Sequence, residues 1–106
     1  MDLASKKCMH CEGGTKPLDA QTVETYLKVV PGWEVLEGRK IRRLFKFKDF
    51  KEAMDFVNQI AGLAESEGHH PDIKISYNKV KIELTTHAIG GLSENDFILA
   101  TKIDSL

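Results

Sequence analysis

The stretch Ile73-Lys74-Ile75-Ser76-Tyr77-Asn78-Lys79-Val80-Lys81-Ile82-Glu83-Leu84 decides the fold. Apolar side chains recur at every second position on both sides of Asn78-Lys79, the period of a strand that buries one face. Asn78-Lys79 reads as a hairpin turn, with Ile73, Ile75 and Tyr77 on one face going out and Val80, Ile82 and Leu84 on one face returning. Upstream, Trp33-Glu34-Val35 alternates, Glu37-Gly38 supplies a turn, and Ile41, Phe45 and Phe47 share a face of a second hairpin. Between the hairpins, Asp49-Phe50-Lys51-Glu52 is a capping box that opens a long helix. Phe50, Ala53, Met54, Val57, Ile60, Ala61 and Ala64 follow at helical spacing until Gly68 ends it. An earlier helix begins at the N-cap Asp19, with Leu18 and Val23 as a hydrophobic staple. It carries Val23, Leu27 and Val30, and Pro31-Gly32 stops it. After Gly90-Gly91, the capping box Ser93-Glu94-Asn95-Asp96 opens a last helix that turns Phe97, Ala100 and Ile103 inward. The order α-β-β-α-β-β-α with paired hairpins predicts an α+β fold on a four-stranded antiparallel sheet. Four strands leave edges able to pair with another copy.

A chain of 106 residues has room for one core. Residues 1–17 are polar and close on Glu12-Gly13-Gly14-Thr15-Lys16-Pro17, so they read as a mobile or loosely docked arm ahead of a folded unit at 18–106. A formal charge of -1 argues against a dedicated nucleic-acid binder, which needs an excess of Lys and Arg. Neither a signal peptide nor an apolar window of roughly 18 residues is found, so the expectation is a cytoplasmic protein without a membrane contact. Cys8 and Cys11 form a single CxxC. Zinc usually takes four ligands and a thioredoxin-like site needs a strand-turn-helix around it, so the pair reads as two reduced thiols.

The histidines carry the chemistry. His69-His70-Pro71 lies just past the long helix, and the proline holds His70 extended, so the two neighbouring imidazoles point in different directions. His87 follows Thr85-Thr86 at the end of the last strand. An antiparallel hairpin returns it to the end of the sheet where His70 begins. Three imidazoles therefore converge, and imidazole titrates near neutrality, as a proton donor-acceptor pair requires. Divergence of His69 and His70 makes joint chelation of one ion awkward, so no metal is assigned.

Glu65, His69-His70-Pro71, Tyr77, His87 and Asp96, at these spacings, resemble the signature of the pterin-4a-carbinolamine dehydratases. Pro31-Gly32-Trp33, Phe45-Lys46-Phe47-Lys48-Asp49-Phe50, Tyr77-Asn78-Lys79-Val80 and Gly91-Leu92-Ser93-Glu94-Asn95-Asp96 extend the likeness over residues 18–104. The arm, Cys8 with Cys11-Glu12-Gly13-Gly14, is similar to bacterial members. The resemblance implies helices packed on one face of the sheet, a homodimer or homotetramer, and no cofactor. It also implies dehydration of 4a-hydroxytetrahydropterin to quinonoid dihydropterin in tetrahydrobiopterin recycling. His69, His70 and His87 are then the catalytic and binding imidazoles, with His70 and His87 exchanging protons and His69 mainly binding.

Four further residues support the site in this reading. Glu65, four residues before His69, can orient that ring from the same helix face. Tyr77 either lines the pocket or, by its parity, packs in the core. Asp96 fits the third position of a capping box, and Pro71 shapes the turn. Where many relatives carry an acid after the third histidine, this chain has Ala88. The competing reading is a non-catalytic dimerisation, assembly or transcriptional-cofactor protein using the basic cluster Arg39, Lys40, Arg42, Arg43, Lys46 and Lys48. Alternation of that cluster with Phe45 and Phe47 favours a solvated strand face instead.

Overall fold

The structure, a computed structural model, describes residues 3–9 and 16–106. The elements are α1 (Ala20–Leu27), β1 (Glu34–Leu36), β2 (Lys40–Lys46), α2 (Phe50–Glu67), β3 (Asp72–Ser76), β4 (Lys79–Leu84) and α3 (Glu94–Asp104). Single 3-10 turns occur at Leu3–Ser5 and His87–Ile89. All pairings are antiparallel, in the order β1-β2-β4-β3, so the two hairpins join through β2 and β4. The expected α+β fold, its element order and its four-stranded sheet are all present.

Period-two alternation explains which face is covered. Val80, Ile82 and Leu84 on β4 are fully buried, and Ile41 on β2 lies opposite Leu84 on the same face. Burying each such side chain contributes roughly 1.5–3 kcal/mol, which makes β4 the sheet's central anchor. Arg43 stands on this face too, with its guanidinium 4.8 Å from the Phe45 ring and 3.0 Å from Asp104. Four members of the basic cluster are paired with acids: Arg39 with Glu37, Lys40 with Glu83, Arg42 with Glu34 and Arg43 with Asp104. They do not form one basic surface.

The second hairpin turns one residue earlier than its sequence suggests. Ser76 pairs with Lys79, so Tyr77-Asn78 is the loop and every partner shifts by two positions. A shift of two leaves each side chain on its expected face. Asn78 is fixed by its amide, which donates to the Phe47 carbonyl at 2.9 Å, while Phe47 N–H donates to the Asn78 carbonyl at 2.8 Å. Tyr77 is therefore neither core nor pocket wall: it is 65% exposed and has φ +52°. A left-handed backbone is unfavourable for a residue with a Cβ by roughly 1–2 kcal/mol. Tyr77→Gly should then raise the unfolding free energy by about 0.5–1 kcal/mol, after glycine's own entropy cost. Urea unfolding reads this directly, and a loss of stability would mean that the exposed ring contributes packing.

Asp49 caps α2 by accepting the Glu52 N–H at 2.9 Å, and Gly68 ends the helix at φ +67°. The buried stripe of α2 is Ala53, Phe56, Ile60 and Ala64. Phe56, overlooked in the sequence stripe, packs between the rings of Phe45 and Phe47. Phe50, expected inside, is half exposed because it starts the helix on the stripe's flank.

Helix α3 is buried nearly all round, from Asn95 to Ala100 and at Ile103, not only at the three expected positions. Leu3, itself fully buried, covers it together with the rest of the first 3-10 turn. Residues 3–9, expected as part of a loose arm, are anchored further by Lys6 on Glu94 (3.1 Å) and by Cys8 N–H on Glu67 (2.9 Å). His10 and Cys11 lie outside the described residues, so the CxxC pair is described only at Cys8. Among the described residues, no helix is long and apolar enough to cross a membrane.

Burial, reinforced by the Glu67 carboxylate, pushes the Cys8 thiol up from its ordinary 9.0 to about 12. Tyr26 moves from 10.0 to about 12 because its hydroxyl donates to Glu94. The native chain thus keeps protons that the unfolded chain releases in this range, and stability falls as pH rises from 9 toward 12. Urea midpoints across this range test the sign. Cys8→Ala should delay the decline until the tyrosine range near 10.

Candidate active site

Gly68 sets the site's geometry. Its left-handed conformation takes the chain off the α2 axis, and His69-His70-Pro71 then leads without regular structure into β3. Across the hairpin, β4 stops at Leu84 and the chain makes a tight turn. Thr86 and Gly91 close that turn as an isolated bridge, so His87 rides on a 3-10 turn and not on the strand end expected for it. Gly91 is needed because a Cβ there would lie 2.8 Å from the Pro17 ring. The two loops meet over one open hollow of about 280 Å³, lined by His69, His70 and His87 with Met9, Gly68, Thr85, Thr86, Ala88 and Asn95.

Each imidazole is held differently. His69 is nearly buried, and its Nε2 lies 2.6 Å from Asp96 Oδ1. His70 is largely exposed and its Nε2 pairs with Glu65 Oε2 at 2.5 Å. Glu65 therefore orients His70, not His69: the turn at Gly68 takes His69 off the helix face that Glu65 occupies. The His87 ring makes no hydrogen bond among the described residues and stands exposed at the rim.

Asp96 does more than cap α3. Fully buried, it accepts the Ser93 N–H at 2.9 Å and the Thr86 hydroxyl at 2.9 Å on Oδ2, while Oδ1 takes His69. One carboxylate thereby joins the His69 loop to the root of the His87 loop, with Thr86 Oγ1 also 2.7 Å from Ser93 Oγ. Such partners fix the orientation of the ring. Pro71 holds the approach to β3 and is absent from the hollow's wall. Tyr77 sits at the opposite end of the hairpin, about 17 Å of strand away.

Thr86, Asn95 and Met9 were not read as site residues. Thr86 had a usable signal: it continues the inward alternation of Val80, Ile82 and Leu84, and a buried hydroxyl requires a partner. Met9 had none, since its wall position depends on contacts with a helix at the other end of the chain. Among the described residues no group of three or more His, Cys, Asp or Glu side chains is arranged to hold a metal ion.

A family model described as pterin 4 alpha carbinolamine dehydratase matches residues 16–106. A Nitrosospira multiformis protein bearing the name of a pterin-4-alpha-carbinolamine dehydratase is 50% identical over 105 residues, covering 99% of this chain and 92% of its own. One so named from Rubrobacter xylanophilus is 45% identical, covering 99% and 98%. The crystal structure of a transcriptional coactivator/pterin dehydratase from Brucella melitensis superposes with a TM-score of 0.80 at 37% identity, covering 85% of this chain and 97% of that one. A pterin dehydratase-like protein described as a RuBisCO assembly factor shares the fold at a TM-score of 0.60 and 22% identity, covering 70% and 87%.

Proposed function

Because the chain belongs to the pterin 4 alpha carbinolamine dehydratase family, we propose that it removes water from 4a-hydroxytetrahydropterin by histidine acid-base catalysis. The product is quinonoid dihydropterin, so the reaction serves tetrahydrobiopterin recycling. The observation that carries this reading is the meeting of His69, His70 and His87 around one hollow.

The chemistry needs two proton transfers. Hydroxide is a poor leaving group, so an acid protonates the 4a oxygen as the C4a–O bond breaks and its electron pair leaves with water. The N5 lone pair forms the C4a=N5 bond, and a base takes the N5 proton. His70 and His87, both open to the hollow, suit these exchanges. His69, fixed by Asp96, suits binding and orientation of the ring. No group beyond the chain is required by this balance, and the reading takes the protein as a homodimer or homotetramer of the cytoplasm.

Stopped-flow mixing with freshly generated 4a-hydroxytetrahydrobiopterin tests the proposal. The protein should accelerate loss of the 4a-hydroxyl signal well above the spontaneous rate, in proportion to its concentration. Decay at the spontaneous rate with folded protein would overturn it and favour an assembly role for the same fold.

A further inference from the structure

We propose that the site continues past His87 into a phosphate-binding subsite, where Arg39 and Lys40 hold a phosphate ester at the end of the substrate's C6 side chain. The inference rests on the dehydratase reading above and narrows its substrate to reduced pterins with an anionic side chain.

A second open hollow, of about 360 Å³, adjoins the first. Thr85 and His87 line both, so the two meet at the His87 imidazole. The rest of its wall is Arg39, Lys40 and Gly90, with no Asp or Glu among the described residues that line it. The backbone beneath the two cations is fixed. Arg39 N–H donates to the Leu36 carbonyl at 3.0 Å, and the Arg39 carbonyl accepts the Thr85 hydroxyl at 2.6 Å. Thr85 thereby ties the turn before β2 to the loop that carries His87.

The acids that pair with these cations stand elsewhere. Arg39 meets Glu37 at 2.7 Å and Lys40 meets Glu83 at 3.8 Å, and both acids line a neighbouring hollow, not this one. The Arg39 pair is exposed on both sides and the Lys40 pair is long, so neither binds its cation strongly. A phosphate dianion offers two oxygens to the planar fork of Arg39 and a third to Lys40.

Bonding within the substrate directs its side chain to this place. N5 and the 4a oxygen are the atoms that exchange protons, and N5 is bonded to C6 as well as to C4a. A ring that presents those atoms to His70 and His87 therefore holds its C6 substituent beside them. Beyond His87, that substituent meets Arg39 and Lys40.

Titration calorimetry with 7,8-dihydroneopterin and with its 3′-phosphate tests this apart from turnover, since neither carries a 4a-hydroxyl. The ester should bind about three- to thirtyfold tighter at low salt, and the advantage should shrink as salt rises. The ratio of the two affinities, measured on each variant, is the readout. Arg39→Ala and Lys40→Ala should each reduce it, and the double variant should bring it to one. Arg39→Lys, which keeps the charge and loses the fork, should fall between. Lys74→Ala, on the far edge strand, changes the net charge equally and should leave the ratio intact. Inorganic phosphate alone should bind far more weakly than the ester. Equal affinity for the two pterins overturns the inference, as does an advantage that survives the double variant or vanishes in Lys74→Ala. Free phosphate binding as tightly as the ester would make this an ion site unrelated to substrate, and overturns it too. Failure of both pterins to bind sinks the dehydratase reading itself, whereas binding without preference sinks the subsite alone.

Discussion

His87→Ala is expected to slow catalysed dehydration by about 10²- to 10⁴-fold, the usual contribution of a positioned acid or base. The fold should not suffer. His87 is exposed, and the turn that carries it is closed by backbone bonds between Thr86 and Gly91, not by the imidazole. Substitutions at such positions generally change stability by no more than about 0.5 kcal/mol. A large rate loss with an unchanged melting curve therefore isolates the ring's chemistry. His70→Ala should act in the same direction, since its ring also faces the hollow. Glu65→Ala should do far less, because an ion pair this exposed contributes about 0–1 kcal/mol. Added imidazole should restore part of the His87→Ala rate if the missing function is proton transfer. Near-normal turnover in both histidine variants would remove the acid-base assignment altogether.

Hairpin topology made the histidine cluster legible before any coordinates. An antiparallel pair must bring the residues before its first strand close to those after its second, and His70 and His87 occupy those places. The sequence places the turn one residue late because an aromatic residue at positive φ is rare, which makes Asn78 the better loop start. Period-two patterning hid that slip, since it moved every pair without changing a face. Glu65 pairs with His70 and not with the expected His69 for a different reason: i, i+4 logic holds only inside a helix, and Gly68 intervenes before His69. Burial around α3 was invisible because Leu3, which covers its outer side, lies some 90 residues away in sequence. Asp96 illustrates the deeper difficulty. A capping box explains its spacing completely, and nothing local shows that the same carboxylate also reaches His69 and Thr86.

Asp96→Ala separates those roles through stability. A cap alone is typically worth about 1 kcal/mol. Here the substitution also leaves the Thr86 hydroxyl and the His69 ring without their carboxylate acceptor, which is itself fully buried. A buried orphan costs about 1–3 kcal/mol, but Thr86 keeps the Ser93 hydroxyl and the His69 ring reaches the hollow, so each loss is about 1–2 kcal/mol and the expected total is about 3–5 kcal/mol. For a domain of this size that lowers the melting temperature by on the order of 15–30 °C, a large part of its whole stability. Asp96→Asn preserves volume and an acceptor for Ser93 N–H, so it should cost only about 1–2 kcal/mol while still weakening turnover. An amide has one acceptor oxygen where the carboxylate has two, and it must direct its NH2 at either the ring or Thr86. Turnover in Asp96→Asn should therefore fall by more than its melting temperature alone would imply at 25 °C, where the variant remains folded. If Asp96→Ala instead loses only about 1 kcal/mol, the carboxylate acts as a helix cap and no more. The loops bearing His69 and His87 would then stand independently, and the shared acid beneath the hollow would not hold it in shape.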